Sequence, residues 1–264
     1  MLKQFFGFKA EPFPKDIDTN NIFLSNSVKE LTSRLEYIKK TRGLMLLTGD
    51  PGTGKSLALR RFVNSLSQSS YLVVYTPMTT VSAMEFYRQT CFMLTDEIIY
   101  HKWRCFHKIQ AGVRELVANS KKVPVIILDE AQLLRPETLH EIQLLLNFDI
   151  DSVDPVVFIL CAQSFFRDTI TRPVFASLNQ RFSMKYNIPG MDREETTEYI
   201  AHHLKLAGGK NDLFTPQSVE AIFNNTGGIP RLVGNLCKKA LELAAIERKQ
   251  NITEEEIYSA SKEM

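Results

Sequence analysis

Cysteine is scarce in this chain. The four thiols among 264 residues, at positions 91, 105, 161 and 237, include no close pair of the kind that binds zinc and are too few for the disulfide framework of a small secreted domain. Reduced, mostly buried cysteines are therefore expected. Charge of one sign is equally lacking: 32 Lys and Arg against 30 Asp and Glu leave a formal charge of +2. Binding to nucleic acid is not announced by that balance and must rest, if it exists, on a local patch. The longest uncharged stretch, residues 62–84, has a membrane span's length but holds five serines, four threonines or asparagines and a proline, which excludes it as a spanning segment. The N-terminus has no apolar run ending in small residues, so no secretory signal is read and a cytoplasmic location is expected. Internal repeats and low-complexity tracts are absent.

Against these absences one motif stands complete. Gly49-Asp50-Pro51-Gly52-Thr53-Gly54-Lys55-Ser56 fills the phosphate-loop pattern G-x-x-x-x-G-K-[ST]. It lies between an apolar strand, residues 44–48, and a helical pattern over 57–66 that opens with Leu57. In that context the loop turns successive backbone N–H groups toward phosphate oxygens at a helix N-terminus. The glycines permit close approach, Lys55 reaches the β- and γ-phosphates, and the Ser56 hydroxyl ligates Mg²⁺. A nucleoside triphosphate is the expected ligand.

Five strands are predicted, at 44–48, 71–75, 125–128, 156–160 and 182–188. Helical patterns at 81–98, 107–120 and 136–147 alternate with them, and a helix at 27–40 precedes the first. This alternation implies right-handed crossovers and an α/β fold with a mostly parallel sheet. Residues 1–24 read as irregular. From about residue 189 strands cease and helix starts crowd together: Asp192 with Glu195, Thr215 before Pro216, Pro230 after a Gly-Gly pair, and Thr253 with Glu256. A nucleotide-binding domain over 1–189, N-terminal extension included, followed by a four-helix lid over 190–264, is the expected organisation.

The strand at 125–128 ends in Asp129-Glu130, spaced from the phosphate loop so as to lie beside it in a parallel sheet. Asp129 is positioned to hold the magnesium ion through its water shell, and Glu130, pointing elsewhere, to activate the attacking water.

Phosphate loop, acidic strand and helical lid together resemble an AAA+ ATPase. That resemblance implies further roles. A polar residue at the end of the fourth strand senses the γ-phosphate, and Gln163 stands there, although a glutamine so placed also suits a helix cap. Arg181, in Leu178-Asn179-Gln180-Arg181-Phe182, corresponds to the arginine that reaches a neighbouring subunit's site, with Arg172 in reserve. Arg231, in Gly227-Gly228-Ile229-Pro230-Arg231, corresponds to the lid arginine that touches the nucleotide; a cation in a helix's first turn opposes the dipole, which a phosphate partner explains. Adenine is expected between the lid and the segment carrying Phe23 and Leu24, for which a core role is the alternative.

The opening Phe5-Phe6-Gly7-Phe8 with Glu11-Pro12-Phe13, the phosphate loop, Leu128 to Gln132 and the Gly-Gly-Ile-Pro-Arg segment are similar throughout to the ExeA-type ATPases, near the initiator branch and its transposition regulators of the TniB and TnsC kind. The resemblance implies an ATP- and Mg²⁺-dependent ATPase that oligomerises as a ring or filament on double-stranded DNA and recruits or regulates a transposase. Its alternative is an ExeA-like ATPase that drives assembly of a secretion or envelope complex without touching DNA. For DNA contact the best patch is Thr79, Thr80, Lys102, Arg104 and Lys108, with His101, His107, Trp103 and Phe106 among them; a solvated helix end with Trp103 tucked into the core is the competing interpretation. An Asn-Lys-x-Asp motif, the guanine reader of GTPases, does not occur.

Overall fold

The computed structural model describes residues 2–77, 80, 82–149, 152–210 and 212–263. In chain order its elements are α1 (Leu2–Phe6), α2 (Asn26–Thr41), β1 (Gly43–Gly49), α3 (Lys55–Ser65), β2 (Tyr71–Thr76), α4 (Ala83–Thr95), α5 (Lys102–Ala118), β3 (Val123–Leu128), α6 (Pro136–Leu145), β4 (Val157–Ala162), α7 (Phe166–Ile170), α8 (Ala176–Arg181) and β5 (Phe182–Ile188). Four helices complete the chain: α9 (Arg193–Ala207), α10 (Pro216–Thr226), α11 (Pro230–Glu247) and α12 (Glu254–Ser261). Two compact units result. One comprises Glu30–Gly49 and Lys55–Ile188, the other Met1–Lys29, Asp50–Gly54 and Pro189–Met264.

The first unit is an α/β sheet structure. Its five strands run in the order β2-β3-β4-β1-β5, and each neighbouring pair is parallel. The register sets Leu44 beside Phe158 and Ile126 beside Phe158 from the other side. Every residue of β1 and β4 is buried, which explains why both read as unbroken apolar runs rather than alternating ones. The edge strands β2 and β5 mix buried and open positions.

Helix boundaries depart from the sequence pattern where a local signal is hidden. The predicted helix at 81–98 is shorter, because Ser82 and Glu85 form a capping box at its start and Asp96 turns left-handed at its end, with φ of 57°. Helix α5 starts at Lys102, five residues before the periodic pattern suggests. Its N-cap, His101, makes no side-chain bond and its first turn carries no acid, so nothing in the sequence marks the start. The extra turn is held by Cys105, which is fully buried.

The second unit is helical. Asp192 accepts from the Glu195 N–H at 2.8 Å while the Glu195 carboxylate accepts the Asp192 N–H, so the predicted capping box opens α9. Thr215 accepts from Ser218 N–H at the start of α10, and Thr253 with Glu256 forms a second box at α12. A single parallel bridge, Phe214 with Ile252, ties the approach to α10 to the approach to α12. Gly228 has φ of +68°, and a Cβ there would lie 1.9 Å from the Met191 carbonyl oxygen, so the Met191–Gly228 backbone contact requires glycine.

The N-terminal stretch is not wholly irregular. It begins with the short α1, and Leu2 and Phe6 pack against the lid's core. Phe8 and Phe13 enter that core at 5 % and 7 % exposure, each contributing about 2 kcal/mol by burial. The Lys9 and Ala10 N–H groups both donate to the Ala207 carbonyl.

Candidate functional site

Strand β1 ends at Gly49 and α3 begins at Lys55, so the loop between them is five residues long. Thr53 closes it as a turn: its N–H and its hydroxyl both donate to the Asp50 carbonyl, at 3.2 and 2.9 Å. Gly52 and Gly54 have φ of +92° and +98°, conformations that L side chains rarely adopt. Space around them differs. A Cβ on Gly54 would meet nothing within 4 Å, whereas one on Gly52 would lie 2.7 Å from Arg231 Cβ and 3.2 Å from Ile229 Cγ2. Asp50 and Pro51 are exposed, Ser56 is exposed on the first turn of α3, and Leu57 follows it half-buried. The Lys55 ammonium is almost wholly enclosed and donates to the Gly49 carbonyl at 2.7 Å.

The acidic pair stands at the end of β3. Asp129, 8 % exposed, receives three donors. Its Oδ2 accepts from the Tyr75 hydroxyl at 2.9 Å and from Ser56 Oγ at 3.4 Å, and its Oδ1 accepts the Glu130 N–H at 2.9 Å. Burial, then the Asp129 charge, push the Tyr75 phenol and the neighbouring Cys161 thiol well above their ordinary values. Glu130 is left-handed, with φ of 53°, so the chain turns sharply between the two acids and sends their side chains in different directions. The Glu130 Oε2 accepts from Gln132 Nε2 at 2.5 Å, and Gln132 Oε1 accepts the Gln163 N–H at 3.1 Å. The strand-end residue Gln163 is thereby linked to the glutamate through one intervening amide. Neither Tyr75 nor Gln132 was singled out from the sequence for these contacts.

These residues fit a magnesium-bound triphosphate. The loop's two positive-φ glycines and the open start of α3 suit phosphate oxygens, and Ser56 beside Asp129 supplies the hydroxyl and carboxylate that a hard cation takes.

In the helical unit, Pro230 occupies the first turn of α11 and the following Arg231 N–H donates to the Gly52 carbonyl at 3.2 Å. Arg231 itself is exposed. Phe23 is half-buried, edge-on to Tyr199 with centroids 5.8 Å apart and 5.7 Å from the His202 ring. Arg181 is the last residue of α8, where its charge complements the helix dipole, and Arg172 is exposed ahead of Pro173.

The basic cluster differs from its sequence picture. Thr79 lies outside the described residues, and Thr80 is exposed in a bend. Lys102 is paired with Glu141 at 2.5 Å and Lys108 with Glu97 at 2.6 Å, so two of its cations face carboxylates. Trp103 is 62 % exposed rather than tucked into the core, with the Arg104 guanidinium 5.3 Å above its ring. Nearby, Arg88 sits 5.1 Å over Tyr100, itself 70 % exposed. Sequence reasoning missed Arg88 and Tyr100. Among the described residues no helix is long and apolar enough to cross a membrane.

Residues 38–170, half of the chain, match the family described as AAA domain. The chain is 27 % identical over 271 residues to general secretion pathway protein A of Aeromonas hydrophila, an alignment covering 100 % of this chain and 48 % of that protein. It thus spans about half the length of this curated relative. Among solved structures, the ORC2 protein of Aeropyrum pernix in its ADPNP–ADP complexes aligns with a TM-score of 0.68 at 17 % identity, over 97 % of this chain and 72 % of that one. The Aeropyrum pernix ORC1 protein in complex with DNA aligns with a TM-score of 0.58 at 18 % identity, over 95 % and 66 %. At such identities the likeness is one of fold.

Proposed function

The chain belongs to the AAA domain family, and from that premise we propose that it is a Mg²⁺-dependent ATPase that self-associates on double-stranded DNA and regulates or recruits a transposase. The observation that carries the ATPase reading is the approach of Ser56 Oγ to Asp129 Oδ2, which brings the helix that follows the phosphate loop and the acidic strand to one point. Bound magnesium supplies neutralisation of the phosphate oxygens. The loop N–H groups orient the phosphates and Lys55 offsets their charge. Ser56 donates a hydrogen bond from its hydroxyl to Asp129 and turns its lone pairs outward. Glu130 takes the proton of the attacking water, Gln163 orients that water, and Arg231 contacts the nucleotide from the lid. Arg181, contributed to the adjoining protomer, stabilises charge as the γ-phosphoryl group leaves.

The DNA reading is supported by the exposed aromatic and guanidinium pairs on α5 and before it, a chemistry suited to a nucleic-acid surface. A solved structural neighbour in complex with DNA adds support at the level of fold. The test is retention of duplex DNA by the protein with ATP, with ADP and with a non-hydrolysable analogue. Binding confined to the triphosphate states, and falling steeply with added salt, is expected. Failure to bind with the analogue at low salt would remove DNA from the function. A second reading, ATP-driven assembly of a secretion or envelope complex, is favoured by the alignment of all of this chain with about half of general secretion pathway protein A; it predicts ATPase activity indifferent to DNA.

A further inference from the structure

Asp129 is held by a residue outside the familiar pattern of loop and acid. Tyr75 lies on β2, an edge strand of the sheet, opposite Ile127 of β3. The Asp129 N–H donates to the Thr76 carbonyl at 3.2 Å, so the backbone fixes the acid's Cα against the end of β2 before any side chain acts. From one residue back the Tyr75 hydroxyl crosses to Asp129 Oδ2 at 2.9 Å. Ser56 Oγ approaches the same oxygen, and the Glu130 N–H takes the other.

All three donors are neutral. They orient the carboxylate without themselves bringing a positive charge to it. A cationic donor in the place of Tyr75 would hold the carboxylate equally firmly but would offset the charge that a divalent cation needs. The ring itself is 42 % exposed and adds little to the core. Its hydroxyl is therefore the part of Tyr75 that the site uses.

We propose that Tyr75 is a positioning residue of the cation site, its phenolic O–H holding Asp129 in the orientation from which the carboxylate serves magnesium. The proposal rests on the nucleotide-site reading above. Partners of this kind, once removed, lower metal affinity by about 10- to 100-fold in characterised sites.

The experiment compares the wild-type protein with Tyr75→Phe, which keeps the ring and removes one oxygen. Binding of a fluorescent ATP analogue is titrated with MgCl₂ and, separately, measured in EDTA, with thermal melting of both proteins alongside. The expected result is a Mg²⁺ midpoint raised about tenfold or more in Tyr75→Phe, with unchanged affinity in EDTA and an unchanged melting temperature. Identical Mg²⁺ midpoints would overturn the role of Tyr75, and a loss of EDTA affinity in step with a lower melting temperature would reduce it to a packing residue. Wild-type protein that binds the analogue with no response to magnesium would instead refute the cation site itself.

Discussion

Asp129 and Glu130 are adjacent in sequence and opposite in surroundings. The first is enclosed by donors from Tyr75, Ser56 and the Glu130 N–H; the second is exposed, left-handed at its backbone and hydrogen-bonded by the Gln132 amide. An enclosed carboxylate suits a static electrostatic task, and an exposed one suits proton transfer to and from water. Glu130→Gln is therefore expected to leave nucleotide affinity intact while lowering turnover about 100-fold or more, read by equilibrium binding and by phosphate release. A parallel loss of affinity would move Glu130 from the chemistry to the binding of ligand. The residues of the loop and of the acidic strand end were legible in the sequence because their requirements are local: glycines for positive φ, lysine and serine at fixed offsets, acids ending an apolar strand. Tyr75 was not legible. It lies 54 residues from Asp129, and only the adjacency of β2 and β3 brings its hydroxyl to the carboxylate.

At the scale of elements, helix α9 joins the N-terminal segment to the lid through an aromatic stack. His203 lies 25° from the plane of Phe13 with centroids 5.2 Å apart, touches the Tyr199 ring, and leaves its buried Nδ1 without a partner among the described residues. Burial, with a smaller contribution from the His202 charge, lowers its pKa to about 4 from the ordinary histidine value of 6.5. The sign follows from proton uptake. Between those values the unfolded chain binds a proton that the folded lid refuses, so stability is present above about pH 6.5 and is lost as pH falls toward 4. The melting temperature is expected to decline over that window in the wild type and to decline less in His203→Leu. Equal declines would remove His203 from the acid response. The lid's helix starts were legible because each carries a local signal, a capping residue or, at α11, a first-turn proline; the stack was not, because the period of α9 shows a buried face without saying that Phe13, far upstream, covers it. The early start of α5 escaped for the reverse reason, having burial at Cys105 but no cap.

For the whole molecule, the α/β sheet followed by a helical lid was readable from the order of apolar runs and cap signals. Assembly was expected from the family resemblance alone, since no periodicity encodes a surface that meets another copy. Arg181 is where the two scales join. Acting in trans, as proposed, it is expected to make hydrolysis in the wild type rise with protein concentration. Arg181→Ala is expected to abolish that rise and to lower the saturated rate about 1,000-fold while nucleotide affinity is kept, measured by ATPase assays across a dilution series. A wild-type specific activity that stays constant on dilution would confine Arg181 to its place at the end of α8.

The four thiols are distributed unevenly between the two units. Cys91, Cys105 and Cys161 lie inside the sheet unit and Cys237 inside the helical one; every one is buried, and burial holds Cys105, Cys161 and Cys237 in the unreactive protonated form. The chain therefore carries an internal clock in each half. Exposed to an alkylating reagent, a folded molecule stays unmarked until some part of it opens, and the position of the first adduct says which half came apart.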